Sequence, residues 1–560
     1  LKRNANYSIF ERFGRGMIYV SLWNIMIAML FSICGFYSMN ALSISDGLAG
    51  ILLWFCIPNK KEAIKHISAE LKDIWKDKYI CLLFLCIFVL YAAFPTNYML
   101  GGRDPGLYYL NGIHIAQTGS YQYEEDVYLT NHYEELEGVV TLGYPGIYSD
   151  YEYGYSEKAG EMTPQFMPMY SAAMAIGYDL GGISVMIRVN AWITILSLLT
   201  IYFFLKRIFS ENIGWISIIM LAISPAQLWY GRNSVSELLL QLLIFLSVDL
   251  FEQGFKQNRR FYGIISGLLL GIGVMDRIDA YISGVGLIAM LIYTILFSYE
   301  KRKYTFYSVA AYCITGGIAF LYGMIWSRPY FHVHMAGTLG KILFLNLGML
   351  LLAGIIVLIQ FVINQISHKK VAQTNYFFQI FESRTFVIVL FCLLLLVWIY
   401  AYFIRPMGVL PEDKAYFVKH NIVELSWYVS PVIMVLSILG LVGILYKKSE
   451  KQESIFLFLA IGLSNYNGYG INPFISKDHI WAARRWVTLI IPFLIIMGIL
   501  GIQILYHLLR KKQGFVGKIL CGCIIIGVSG YLLYQSKAFI TTKIMNNLDT
   551  ELEGLAAQLE

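Results

Sequence analysis

Charge is scarce in this chain. Only 14% of its 560 residues are Asp, Glu, Lys or Arg, while 58% are apolar and the mean hydropathy is +0.60. A soluble globular protein of this length has no use for so much apolar surface, so the composition excludes that class and points to a polytopic membrane protein. Cysteine is also sparse in useful patterns. The eight cysteines all fall in apolar segments and none forms a CxxC pair, which excludes a disulfide framework and a zinc ribbon. There is no internal repeat, no low-complexity tract, and no basic patch interleaved with aromatics of the kind nucleic acid requires.

What the chain does have is long apolar runs. Fifteen read as spans: 17–39, 42–57, 79–95, 182–204, 212–229, 235–251, 261–275, 280–298, 306–326, 341–363, 385–404, 426–446, 453–466, 486–509 and 516–534. Two short runs, 42–57 and 453–466, fall below the roughly 20 residues a helix needs to cross a bilayer and are the weakest spans. The first run is too long for a signal-peptide core and lacks a small-residue cleavage site, so it is expected to be retained. The fold class expected is therefore an all-α polytopic membrane protein of about 15 transmembrane helices. Two N-terminal helices and a linker occupy 1–78, the main membrane domain 79–534, and a tail 535–560.

Lys and Arg set the orientation. With the N-terminus on the cytoplasmic side, the inner segments hold 27 of the 43 Lys and Arg in 93 residues, and the outer segments 13 in 175. This is the positive-inside pattern, and it accounts for the net charge of +7 without a nucleic-acid partner. The large outer loop, 96–181, runs the other way: twelve acidic residues stand against Arg103 and Lys158. Its start, YMLGGRDPGLYYLNGIHIAQTGSYQY, holds a helix-breaking Gly101-Gly102 and then Asp104-Pro105, a good helix start. Leu107, Leu110 and Ile113 would give that helix one apolar face, suited to lying on a membrane surface. QFMPMYSAAMAIGYDLGG, later in the loop, reads as a second surface helix or a re-entrant segment.

The outer side also collects the unusual charges. Asp104 is either an N-cap or a catalytic carboxylate. Glu237 is either the second half of a capping box with Ser234 or a site carboxylate, with Arg232 in the same outer turn. In MDRIDAY, Asp276 and Asp279 flank Arg277, either as self-neutralised interfacial charges or as groups that aim Arg277 at an anion. Arg188 sits near the outer end of a span, where a central arginine would cost on the order of 3 kcal/mol. It either snorkels to the interface or serves a site. Arg484-Arg485 precede a span on the side where positive charge is disfavoured; Arg405 and Lys414 are weaker instances. Two further patterns, His332-x-His334 in an extended segment and Asp150-Tyr-Glu152, are weak metal signals. Arginine suits phosphate because its planar fork binds two oxygens at once. One outward acid and several outward arginines at headgroup depth would serve a substrate bearing an anion in the membrane and a hydroxyl acceptor from outside.

In this order and topology the motifs resemble the GT-C class of integral-membrane glycosyltransferases, with protein O-mannosyltransferases and lipid A aminoarabinose transferases among the similar enzymes. The resemblance is carried by Asp104 … Tyr108 … Ala116 … Gly119-Ser-Tyr121, then Gly181-Gly182, Arg188 and Lys206-Arg207. Ser224-Pro225 … Arg232 … Glu237 and Arg277-x-Asp279 continue it. It covers roughly 79–300, with a weaker echo at 484–492. Pro105 departs from it, since the mannosyltransferases often have a second acid there, as do the two spans that precede the first family-like one. The resemblance implies transfer of a sugar from a polyprenyl-phosphate donor to a glycan, lipid or protein acceptor on the extracytoplasmic face of a plasma membrane, here a bacterial one by residue usage. It implies Asp104 as general base with Glu237 beside it, and Arg188, Arg277, Arg484 and Arg485 on the donor phosphate. Tyr108, Arg232 and Asp279 would line the substrate. Neither a cofactor nor a metal is needed in this reading, although some members of the class use a divalent cation. A single base opposite the leaving group implies inversion.

The competing reading from another class is a transporter or flippase for a lipid-linked or anionic solute, which would show internal symmetry and polar residues at the midplane. The glycosyltransferase reading requires Asp104, Arg188, Glu237, Arg277 and Arg484 or Arg485 to converge on one pocket.

Overall fold

The computed structural model describes residues 8–56, 77–98, 103–124, 147–149, 161–367, 383–408, 412–446, 452–470, 478–545 and 547–559. Gly101-Gly102, His132, the Asp150/Glu152 pair, most of the tyrosine-rich 121–155 stretch and the 57–76 linker lie outside the described residues, as does the side chain of Lys414.

The chain opens with α1 (Ile9–Ile33), α2 (Met39–Cys56) and α3 (Lys78–Ala92). The long loop carries α4 (Asp104–Thr118), three short strands β1 (Tyr123–Glu124), β2 (Ile147–Ser149) and β3 (Glu161–Pro164), and α5 (Pro168–Met186). β3 lies between the other two strands in an antiparallel sheet, with Tyr123 opposite Met162 and Tyr148 opposite Thr163. Next come α6 (Val189–Ile208), α7 (Glu211–Ala222), α8 (Pro225–Tyr230), α9 (Glu237–Gln257), α10 (Arg260–Ile272) and α11 (Tyr281–Phe297). After these come α12 (Arg302–Trp326), α13 (Arg328–Met335), α14 (Thr338–Ser367), α15 (Arg384–Ile399), α16 (Glu412–Val429), α17 (Pro431–Tyr446) and α18 (Gln452–Asn465). The chain closes with α19 (Arg484–Val487), α20 (Ile490–Ser536) and α21 (Leu548–Leu559).

Among the described residues, nine helices are long and apolar enough to cross a membrane. A tenth candidate is the pair Lys419–Val429 and Pro431–Tyr446, bent by 92° at Ser430. The other five apolar runs form the helices α2, α3, α7, α10 and α18, of 12 to 18 residues. Run 212–229 is shorter than read from sequence because Pro225 starts a separate helix, α8. α20 is not one straight rod. Cys521 Sγ lies 3.7 Å from the Ile502 carbonyl, a contact that 19 residues of continuous helix, roughly 28 Å, could not make. The helix folds back near residues 510–514 into two antiparallel spans.

The core is organised around α9, which is largely apolar and buried along nearly its whole length. It packs on α6 and α10. α14 and α15, by contrast, expose most of their Leu, Ile, Val and Phe side chains, as helices facing lipid do. Close helix contacts rely on absent side chains. A Cβ at Gly267 would overlap the Ser308 carbonyl between α10 and α12, and one at Gly440 would overlap the Met497 carbonyl between α17 and α20.

The loop helices are buried rather than laid on a surface. α4 packs on α5, where a Cβ at Gly112 would stand 2.6 Å from Met174 Cβ. Its buried face is Leu107, Tyr108, Asn111, Gly112 and Ile115, while Leu110 of the expected apolar stripe points outward. α5 is buried from Pro168 to Ala175 and breaks at Gly181-Gly182, where Gly182 takes φ +61°. α1 packs on α5 and α6.

A chain of alternating charges at the loop face

Six charged side chains form a line at the face that carries the 96–181 loop. Asp104 pairs with Arg484 (Oδ2 to Nη1, 2.5 Å). Arg484 donates from Nε to Glu237 Oε1 at 2.8 Å. The same Oε1 accepts from Arg277 Nη1 at 2.6 Å. Arg277 donates from Nε and Nη2 to the two oxygens of Asp279 at 3.0 and 3.1 Å, a bidentate pair. Arg485 then bonds Asp279 from the other side. Three carboxylates and three guanidiniums alternate without a break, so the line is neutral as a whole. Four separate pieces of chain contribute: the first turn of α4, the first turn of α9, the turn between α10 and α11, and α19.

The local reading of the two acids does not hold. α4 begins at Asp104 with Arg103 as N-cap, and no side chain caps it. α9 begins at Glu237 with Ser236 as N-cap, again with no capping side chain, so Ser234 and Glu237 form no capping box. Both carboxylates pair instead with arginines that are distant in sequence, where donor and acceptor are both charged.

Burial grades along the line. Glu237 is fully buried and Arg277 is 7% exposed, whereas the Asp104 side chain is 19% exposed and that of Arg485 26%. Burial works against the charge of Arg484, but Asp104 and Glu237 more than offset it and raise its pKa above the ordinary arginine value. Burial raises the Asp276 carboxyl well above the usual carboxylate range, against the pull of Arg277. Tyr108 shares a 3.0 Å hydrogen bond with Ser236, whose Oγ also accepts from Arg277 Nη1 at 3.2 Å. Trp481 lies against two guanidiniums, with Arg484 5.1 Å and Arg103 5.4 Å from its ring centre. Arg103 also pairs with Asp478 at 3.5 Å on the exposed side.

The donors are unequally spent. Arg277 uses all three nitrogens on protein acceptors. Among the described residues, Arg485 Nε has no partner although it is buried, and neither has Glu237 Oε2. Each carboxylate in the line faces a guanidinium rather than another carboxylate, an arrangement unlike the clustered oxygens that hold a divalent cation. Among the described residues no group of three or more His, Cys, Asp or Glu stands together at metal-holding distance. His332 and His334 lie on helix α13, where residues two apart point to different sides.

Two expected site arginines are not in the line. Arg188 donates from Nε to the Ala92 carbonyl at 3.0 Å and from Nη1 to Ser184. Arg232 donates to the Leu90 carbonyl at 2.7 Å and the Phe539 carbonyl at 2.6 Å. Both therefore occupy the C-terminal end of α3, whose last carbonyls have no partner within the helix and whose dipole favours a cation. Nothing in their local sequence distinguishes that role from phosphate binding.

A second buried ionic group, missed in the sequence, lies at the opposite end of α9. Asp249 accepts from Arg15 of α1 at 2.6 Å and from Arg207 of α6 at 2.5 Å, and Arg207 also reaches Glu252 at 2.7 Å. The available signal was an aspartate inside an otherwise apolar run.

Elsewhere, α15, α17, α18 and α20 enclose an almost wholly apolar cavity of about 430 Å³, with Trp398, Met434 and Phe493 on its walls and Arg405 at its edge.

The comparisons agree with this architecture. Residues 163–327 match the family described as dolichyl-phosphate-mannose-protein mannosyltransferase. A search among curated proteins finds no match. Among solved structures, the chain is similar to the archaeal oligosaccharyltransferase AglB from Archaeoglobus fulgidus in complex with an inhibitory peptide and a dolichol-phosphate. That match has a TM-score of 0.52 and 14% identity over 84% of this chain and 56% of that one. The apo form of the Archaeoglobus fulgidus oligosaccharyltransferase gives a TM-score of 0.54 at 13% identity, over 82% and 55%. The chain thus spans a little over half the length of these structures. In its multi-pass helices, and over α5 to α12 where the family model matches, the chain is similar in fold to membrane glycosyltransferases of the GT-C class.

Proposed function

We propose that the protein transfers a sugar from a polyprenyl-phosphate donor to a hydroxyl acceptor at the loop face, and that this face is extracytoplasmic. The observation that carries the proposal is the position of Asp104. It is a partly exposed end of a charge chain whose other end, Arg485, keeps a buried N–H donor without a partner among the described residues. Asp104 takes the proton of the acceptor hydroxyl as its oxygen attacks the anomeric carbon. The bond from that carbon to the phosphate oxygen breaks with inversion, and the electron pair leaves on the prenyl phosphate. Arg485, with Arg484, stabilises that developing charge; no general acid is needed, because the leaving group is a stable anion. Glu237 and Asp279 hold the arginines in place, and Arg277 joins the two carboxylates.

Asp104 is preferred to Glu237 as base because Glu237 is fully buried and its Oε1 already serves two arginines. The apolar cavity edged by Arg405 offers room for part of a prenyl chain, and the likeness to a protein solved with a dolichol-phosphate supports a donor of that type. The deciding experiment uses the full chain in nanodiscs with radiolabelled polyprenyl-phosphate sugars. Transfer to an acceptor, abolished in Asp104→Asn with donor binding retained, is the expected result. Donor consumption unaffected by Asp104→Asn would remove the base assignment, and solute movement without transfer would favour a transporter.

A further inference from the structure

A second cavity, of about 630 Å³, lies beside the charge chain, and neither the proposed transfer step nor the fold comparison uses it. Pro225 and Trp229 of α8, Trp427 and Tyr428 of α16, and the segment after α20 close around it. Its size falls in the range of small-ligand pockets. The described residues lining it include no Lys, Arg, Asp or Glu. A phosphate or phospholipid headgroup would be left without a counter-charge there, so the lining selects a neutral ligand.

Three rings form one wall: His479 lies 4.9 Å from Trp427 and 6.0 Å from Tyr428, centre to centre. Trp229 also lines the cavity. The imidazole is fixed at both nitrogens, Nε2 to buried Glu424 at 3.1 Å and Nδ1 to the Tyr428 hydroxyl at 2.9 Å. A fixed aromatic wall in a lining that also holds Gln535 and Thr542 suits a pyranose ring, which offers C–H faces to the rings and hydroxyls at its rim. The cavity is one indole from the charge chain: Trp229 meets Trp481 edge to face at 5.8 Å, and Trp481 carries Arg484.

We propose that this cavity is a subsite for a neutral sugar, holding the ring next to the one that is transferred or that accepts. Its place in the reaction rests on the transfer reading above; its ligand class rests on the cavity alone.

The test is saturation-transfer NMR on the full chain in nanodiscs. The probes are methyl glycosides of glucose, mannose, galactose and N-acetylglucosamine, their β1,4 disaccharides, and glycerol 3-phosphate as the headgroup control. At least one saccharide gives saturation transfer that falls about three- to tenfold in Trp427→Ala, the worth of one aromatic contact. It survives in Trp427→Phe. The proposal is overturned if no saccharide binds, if Trp427→Ala leaves binding unchanged, or if only glycerol 3-phosphate responds to that substitution. In transfer assays, Trp427→Ala raises KM for donors with two sugars if the donor glycan fills the cavity, and for acceptors with two sugars if the acceptor does. A KM unchanged for both overturns the placement next to the reacting sugar. Because the NMR result does not need turnover, failure of the cavity proposal and failure of the transfer reading remain separable.

Discussion

Asp104 and Arg484 meet at 2.5 Å, although one opens a helix in the first large loop and the other precedes the penultimate apolar run. The contact makes Asp104 a member of a charge chain rather than a helix cap, and each prediction about the site starts from that membership.

Asp104→Asn keeps the shape of the side chain and removes its basicity. The kcat for sugar transfer falls by about 10² to 10⁴, the worth of a positioned general base. Donor affinity, measured by equilibrium binding, stays within a factor of a few.

Glu237→Gln has a different effect. It leaves Arg277 and Arg484 without the carboxylate they share in a buried place, a loss of about 3–5 kcal/mol of stability. Thermal unfolding in detergent shows a large drop in Tm, and adding Arg277→Met recovers part of it. Equal stability of Glu237→Gln and the parent protein would mean that the chain is not the structural element described here.

Arg485→Met separates donor from acceptor. The substitution raises KM for the lipid-linked donor about tenfold or more, as expected for a lost hydrogen bond to a charged group. KM for the acceptor stays unchanged. Arg485→Lys restores charge but not the fork and recovers only part of the loss.

His334 gives a pH signature. Its ring is partly buried on α13; burial, with Arg485 adding to it and Asp279 opposing, lowers its pKa below the ordinary value near 6.5. The folded protein therefore binds this proton less readily than the unfolded chain. Its contribution to stability is complete above about pH 6.5 and is lost as pH falls through the lowered folded pKa. Thermal midpoints taken between pH 8 and pH 5 decline on the acid side, and His334→Gln flattens part of that decline.

The membrane architecture was legible in the sequence because a run of apolar residues of spanning length has few alternatives. The site was legible only as a set of odd charges on one side. Arg188, Arg232, Arg484 and Arg485 look alike locally, each a cation near the loop end of an apolar run. What separates them is whether an orphan helix carbonyl or a distant carboxylate lies nearest, and that depends on packing between segments far apart in the chain. For the same reason Ser234-x-x-Glu237 reads as a capping box but forms none. The three-stranded sheet left no trace, because strands of two to four residues have no period to detect.

α9 is staked at both ends. Glu237 ties its first turn to two arginines, and twelve residues on, about 18 Å along the axis, Asp249 ties it to two more. Sliding this helix by one turn, or rotating it, would break four charged bonds in buried surroundings at once. A rocking cycle that moves the central helix between two faces is therefore blocked. If the proposed lipid-linked donor enters by movement of a helix, α14 and α15, which bury least, are the ones expected to move, around a post that stays still.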